Sequence, residues 1–197
     1  SAQASANPGA RALGLVDAHP SATHRNAGDA FAVRDVMVDA NGTEHVRLDR
    51  SYRGLPVFGG DIVVHSRNGA LKGISKSMKS ALRPQLHATL GAEDAIEVAG
   101  GLFGPGFQRV VTARKVVYAR NVVPVLAWEI RLEGAYTNGA HIDMTYFVDA
   151  NSGKVLLGVS NVMHAKSKPS AGGGKGGGTG TGGVAALGTG HSLLNGP

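Results

Sequence analysis

Two Asn-Gly dipeptides do most to limit the folds open to this chain. Asn41-Gly42 separates FAVRDVMVD (Phe31–Asp39) from TEHVRLDRSYR (Thr43–Arg53), and Asn68-Gly69 separates DIVVHS (Asp61–Ser66) from ALKGISKSM. An Asn-Gly pair between two alternating runs is the strongest short hairpin signal, so each pair predicts an antiparallel hairpin. Residues 31–78 therefore read as an antiparallel meander, with Val46, Leu48 and Arg50 sharing one strand face.

A helix precedes the meander. In NPGARALGLVD, Asn7 can cap the first turn and Pro8 fits inside it, Leu13, Leu15 and Val16 face inward, and Pro20 ends the helix. After a crossing segment containing Pro84, GAEDAIEVAGGLFG (Gly91–Gly104) places Ala92, Ala95, Ile96, Ala99 and Phe103 at helical spacing. Long strands follow at Gln108–Arg120, Val123–Gly134 and His141–Ala150, then KVLLGVSNV after Asn151-Ser152-Gly153. Leu126, Trp128, Ile130 and Leu132 alternate with Ala127, Glu129, Arg131 and Glu133, which predicts one buried and one wet face. The expected class is α+β: two small domains, 1–80 and 81–164, each an antiparallel sheet with a packed helix.

From Pro169 to Gly190 the chain reads PSAGGGKGGGTGTGGVAALGTG, with eleven of the 30 glycines. Ordering such a stretch costs much backbone entropy and buries little apolar surface, so residues 165–187 read as a flexible processing linker. From Ala165 to Gly190 a flexible coil would span about 28 Å. The expectation is an accessory region severed from the domain it serves.

Composition narrows the function. With 42% hydrophobic and 17% charged residues the body is globular, and the absence of cysteine removes disulfides and thiol nucleophiles. No apolar run reaches the ~18 residues that would span a bilayer. The small, polar start SAQASANPGA suits a chain whose signal peptide has been removed. The net charge is +6, but Lys72, Lys76, Lys79 and Arg83 are spread among small residues with no aromatic platform, which argues against nucleic acid.

Motifs for chemistry are missing. There is no H-E-x-x-H and no G-x-S-x-G, and in GGGKGGGT (Gly172–Thr179) Lys175 is followed by Gly176 rather than Ser or Thr, so no phosphate loop forms. The eight histidines are dispersed. Asp17, Asp29, Asp35, Asp39, Glu44 and Asp49 read as solvated carboxylates. No catalytic, cofactor-binding or metal-ligating residue is assigned. The oddest stretch is GLPVFGGD (Gly54–Asp61), where glycines and a proline interrupt an apolar run. It reads as a tight bend or bulge. It is a structural corner or, alternatively, an exposed apolar protrusion, Leu55, Pro56, Val57 and Phe58, that docks a partner.

Around that stretch, VRLDRSYRGLPVFGGDIVVHSRNGALKGISKS (Val46–Ser77) resembles the fungalysin/thermolysin propeptide domain, with Tyr52, Gly54, Pro56, Val57, Gly59, Gly60, Asp61 and His65 in the family's pattern. Thr89–Leu157, with PVLAWEIRLEG and YFVDANSGKVL, looks like the PepSY (cystatin-like) domain that follows in such prosegments. GTGHSLLNG, within residues 188–197, is similar to the opening of a thermolysin-like catalytic domain. The resemblance implies the prosegment of a secreted bacterial zinc metallopeptidase precursor, non-catalytic itself. It would serve its own catalytic domain as intramolecular chaperone and inhibitor until proteolytic removal. Zinc and calcium would belong to the missing catalytic domain. A family preference for an apolar residue after the scissile bond points to Gly183–Val184 or Ala186–Leu187 as the cleavage site. The rival reading is a free-standing secreted PepSY-type inhibitor or binding module.

Overall fold

The computed structural model describes residues 7–121 and 123–162. The expected linker, its processing residues Gly183, Val184, Ala186 and Leu187, and the GTGHSLLNG segment lie outside the described residues.

The chain is α+β. Its elements run α1 (Pro8–Ala18), α2 (Pro20–Thr23), β1 (Asp29–Val38), β2 (Thr43–Tyr52), β3 (Leu55–Phe58), β4 (Ile62–Arg67) and β5 (Ala70–Lys76), then α3 (Ala92–Phe103), β6 (Phe107–Tyr118), β7 (Val125–Ala135), β8 (His141–Asp149) and β9 (Val155–Ser160). The described strands form one sheet, ordered β5-β4-β2-β3-β6-β7-β8-β9, with β1 paired to β2. Strands from both sides of residue 81 share it. No helix among the described residues is long and apolar enough to cross a membrane.

Each helix covers the sheet for a reason visible in its residues. The Asn7 side chain accepts the Ala10 N–H at 2.8 Å, which starts α1 where the cap is expected. Ala12 and Val16 then press against Val46, Leu48, Ile62 and Val64, all essentially inaccessible. Leu13 and Leu15 pack at the margin. Full burial of each large aliphatic side chain contributes about 1.5–3 kcal/mol. Arg11 of α1 reaches Glu44 on β2, and Ser66 Oγ donates to the same carboxylate at 3.1 Å. The bond from Arg11 holds Glu44 below the usual carboxylate range. Glu44 is thus buried and paired, not solvated as its polar strand position implied.

In α3, Ala95 and Ala99 lie on Ile130, Leu132, Tyr146 and Val148. Two alanines on one face let the helix backbone come close to the sheet. Trp128 is half-buried beside them and donates its indole N–H to the Leu90 carbonyl at 3.0 Å. The opposite face of β7 is not wet throughout. Ala127 is fully buried there with Val116, Tyr118 and Phe147, because Phe58 of β3 folds over that end of the sheet.

Candidate partner-contact site

The stretch read as a bend or bulge is a strand. Arg53 (φ 47°) and Gly54 (φ 84°) make a two-residue turn of the type that suits a twisted hairpin, and β3 returns antiparallel along the end of β2, with Ser51 opposite Pro56 and Tyr52 opposite Leu55. Its other edge pairs with β6 in parallel, Val57 opposite Val117 and Phe58 opposite Tyr118. The Ala119 N–H donates to the Phe58 carbonyl at 2.8 Å. Among the described strands this is the parallel join in an otherwise antiparallel sheet.

Glycine is required where β3 ends. Gly59 has φ 81°, and a Cβ there would lie 2.8 Å from Arg120 Cγ. A Cβ on Gly60 would lie 2.5 Å from Val57 Cγ1. The Gly60 carbonyl is free to accept from Arg50 Nε at 3.0 Å.

The four residues singled out at this corner are placed differently from one another. Val57 is buried with Tyr52, Met78, Val117 and Ala119. Phe58 is half-buried, with ring centroids 5.6 Å from Tyr118 and 4.2 Å from Phe147, and with the Arg120 guanidinium carbon 5.0 Å from its ring centre. Leu55 is half-buried and Pro56 is exposed. Pro56, Val57 and Phe58 line one wall of a cleft of about 450 Å³, which Arg34, Arg114 and Arg120 also border. Asp49, Asp61 and Glu129 stand among them, with Asp49 paired to Arg34 and Glu129 to Arg114. No ion pair involving Arg120 is found among the described residues. The cleft therefore combines an apolar wall with a rim of mixed charge, three arginines set among three carboxylates.

Behind the corner lies a buried ion cluster. Arg50 Nη1 donates to Asp29 Oδ2 at 3.0 Å and to the His24 carbonyl at 3.0 Å. Arg83 Nε donates to Asp29 Oδ1 at 2.9 Å, and its Nη2 bonds the same carboxylate and the His24 carbonyl. The side chains of Arg50, Asp29 and Arg83 are 0%, 0% and 2% exposed. Burial, with Arg83 nearby, lowers the Arg50 pKa to about 10 against the opposing pull of Asp29. Two guanidiniums facing one carboxylate are tolerable only because backbone carbonyls of Thr23, His24 and Gly60 absorb the remaining donors. The expectation of a solvated Asp29 is corrected here. The signal was available: Arg50 falls in phase with Val46 and Leu48, so it had to be buried, and a buried arginine needs a carboxylate.

One group of at least three side chains with metal-ligand potential is present among the described residues: Glu133, His141 and Asp143 bring ligand atoms within 4.8 Å of one another. Arginines already hold the carboxylates. Arg131 bonds Asp143 at 2.9 and 2.6 Å and stands 3.7 Å from Glu133, which Arg109 also grips. The arrangement is a salt-bridge lattice, and the Arg131 bond lowers the Asp143 pKa to about 2.

Residues 29–78 match the Fungalysin/Thermolysin Propeptide Motif. Over this stretch the chain is similar to the fungalysin/thermolysin propeptide motif. The motif begins at Asp29 of the ion cluster, takes in the whole β3 corner, and ends at Met78, which packs against Val57. The chain is also 34% identical over 152 residues to a transglutaminase-activating metalloprotease of Streptomyces mobaraensis, covering 71% of this chain and 20% of that protein. It is 30% identical over 149 residues to bacillolysin of Bacillus cereus (71% and 26%), and 26% identical over 168 residues to thermolysin of Alicyclobacillus acidocaldarius (80% and 29%). The chain thus spans less than a third of the length of these relatives. Among solved structures, the C-terminal domain of Bacillus megaterium YpeB matches at a TM-score of 0.38 and 14% identity, over 78% of this chain and 63% of that one.

Proposed function

We propose that this chain is the prosegment of a secreted thermolysin-like zinc metallopeptidase precursor, and that it assists folding of its own catalytic domain and then inhibits it until removed. The observation that carries the reading is the propeptide motif over residues 29–78, whose defining GLPVFGGD builds the strand that ties the sheet together. Residues 1–80 form the propeptide-type module and 81–164 a PepSY-type module. Leu55 and Pro56 supply contact surface to the catalytic domain, while Val57 and Phe58 hold the strand that presents them. The cut falls at Gly183–Val184, with Ala186–Leu187 as the second site.

Tethering explains why modest intrinsic affinity suffices. A linked inhibitor has an effective concentration near millimolar, which falls away once the linker is cut. The net charge of +6 suits an acidic partner face. The test is to add the purified chain to the denatured catalytic domain of its own precursor and to the mature enzyme. The expected result is a dose-dependent recovery of activity in the first case and inhibition that weakens with salt in the second. No effect on either at any dose refutes the proposal.

A further inference from the structure

A row of residues crosses the solvent face of the first four-stranded part of the sheet. Met37 on β1 stands opposite His45 on β2, His45 opposite His65 on β4, and His65 opposite Gly73 on β5. The two imidazoles meet edge to face, centroids 4.9 Å apart, with Nδ1 of one 2.6 Å from Nδ1 of the other. Each ring is also held from behind. His45 Nε2 lies 2.9 Å from Asp39 Oδ2, and His65 Nε2 lies 2.9 Å from Ser75 Oγ. Nothing would lie within 4 Å of a Cβ on Gly73, the residue opposite His65 on β5.

The tautomers follow from these partners. The Asp39 carboxylate only accepts, so His45 carries its proton on Nε2 and presents a lone pair at Nδ1. His65 then donates its Nδ1 proton to His45 and accepts from the Ser75 hydroxyl at Nε2. A shift of the His65 proton from Nδ1 to Nε2, with the Ser75 hydroxyl turning from donor to acceptor, would leave the two Nδ1 lone pairs facing each other, and a small turn of the rings would aim both at one ion. A carboxylate or hydroxyl behind each ligating imidazole is the outer shell that metal-binding histidines need.

We infer that His45 Nδ1 and His65 Nδ1 form a two-imidazole site for a tetragonal divalent metal ion, copper(II) foremost, with water in the remaining positions. With metal–nitrogen bonds of about 2.0 Å, adjacent positions of a square plane lie about 2.8 Å apart, and those of a tetrahedron about 3.3 Å. The observed 2.6 Å hydrogen-bond contact is shorter than either, so the nitrogens must part on binding, least for the square plane. The Irving–Williams order also favours copper(II) on imidazole ligands. Arg47 and Arg67, two residues along β2 and β4, oppose a bound cation, and Asp39 is the carboxylate that offsets them.

The test is titration of the full 197-residue chain with copper(II) chloride, followed by calorimetry and electron paramagnetic resonance. One equivalent should bind in the micromolar range with coupling to two nitrogens. His45→Gln and His65→Gln should each weaken that equivalent more than tenfold, and Asp39→Asn about tenfold, while His87→Gln should leave it unchanged. Equal affinity in His65→Gln, or no equivalent tighter than millimolar, overturns the site. A readout that needs no variant is the imidazole NMR spectrum of the native chain. Substoichiometric copper(II) should broaden His45 and His65 first, and broadening that begins at other histidines overturns the assignment.

Discussion

The ring of Phe58 lies 4.2 Å, centroid to centroid, from the ring of Phe147, so β3 is held against β6 partly by a side chain from β8. Tyr118 completes the cluster at 5.6 Å from Phe58 and 5.4 Å from Phe147. Phe58→Ala should cost about 3 kcal/mol, since it removes packing from three strands at once. Urea unfolding followed by tryptophan fluorescence measures it, and a loss under about 1 kcal/mol would contradict the cluster's role.

Two glycine substitutions should act in opposite directions. Gly60→Ala drives a methyl into Val57 at 2.5 Å and should destabilise by about 1–3 kcal/mol. Gly100→Ala sits in α3 with nothing within 4 Å and should stabilise by about 0.5–1 kcal/mol through helix propensity. Paired denaturant melts decide the matter, and equal midpoints for the two variants would refute the geometry.

Asp29→Asn leaves Arg50 and Arg83 buried without their counter-charge and should cost about 3–5 kcal/mol. Asp49→Asn breaks an ion pair whose side chains are 58% and 55% exposed, and should change stability by less than about 1 kcal/mol. Thermal melts of both variants at neutral pH read the contrast.

At low pH the sheet should lose stability through Asp143. Its folded pKa, about 2, lies below the ordinary aspartate value, so the unfolded chain binds the proton first. The contribution is complete above pH ~4 and disappears as pH falls towards ~2. Asp143→Asn should therefore lose stability relative to the native chain at pH 6 and converge with it at pH 2. A constant gap across that range would show that Arg131 does not hold a charged Asp143.

His24 should act in a higher window. Burial, then Lys76, lowers its pKa, and its Nδ1 is buried without a hydrogen-bond partner. A depressed imidazole favours the neutral folded form, so stability is full above pH ~6.5 and declines as pH falls below it. His24 has φ 51°, which asparagine tolerates. His24→Asn should flatten the pH dependence of the melting temperature between pH 7 and 5, and an unchanged slope would locate the effect elsewhere.

Much of the fold was legible because period and punctuation agreed. Asn41-Gly42 and Asn68-Gly69 marked two hairpins, Asn7 and Pro8 marked the start of α1, and the alternation of Leu126 to Leu132 marked the covered face of β7. What escaped was non-local. Arg53-Gly54 forms a tight turn without the usual Asn or Asp, so β3 looked like an interruption. Four residues carry too little period to announce a parallel partner in β6. The burial of Asp29 depends on Arg83, far along the chain, and no local pattern encodes that encounter. The imidazole pair was equally hidden, because His45 and His65 meet only once register sets β2 beside β4.

Because β3 reaches β6 only through Val57–Val117 and Phe58–Tyr118, the seam closes late in synthesis. About 60 residues separate the partners, so at roughly 5–20 residues per second Phe58 waits several seconds with one strand edge bare. During that interval a neighbouring nascent copy can pair with the exposed edge, which makes the seam a place where this polypeptide is open to misassembly.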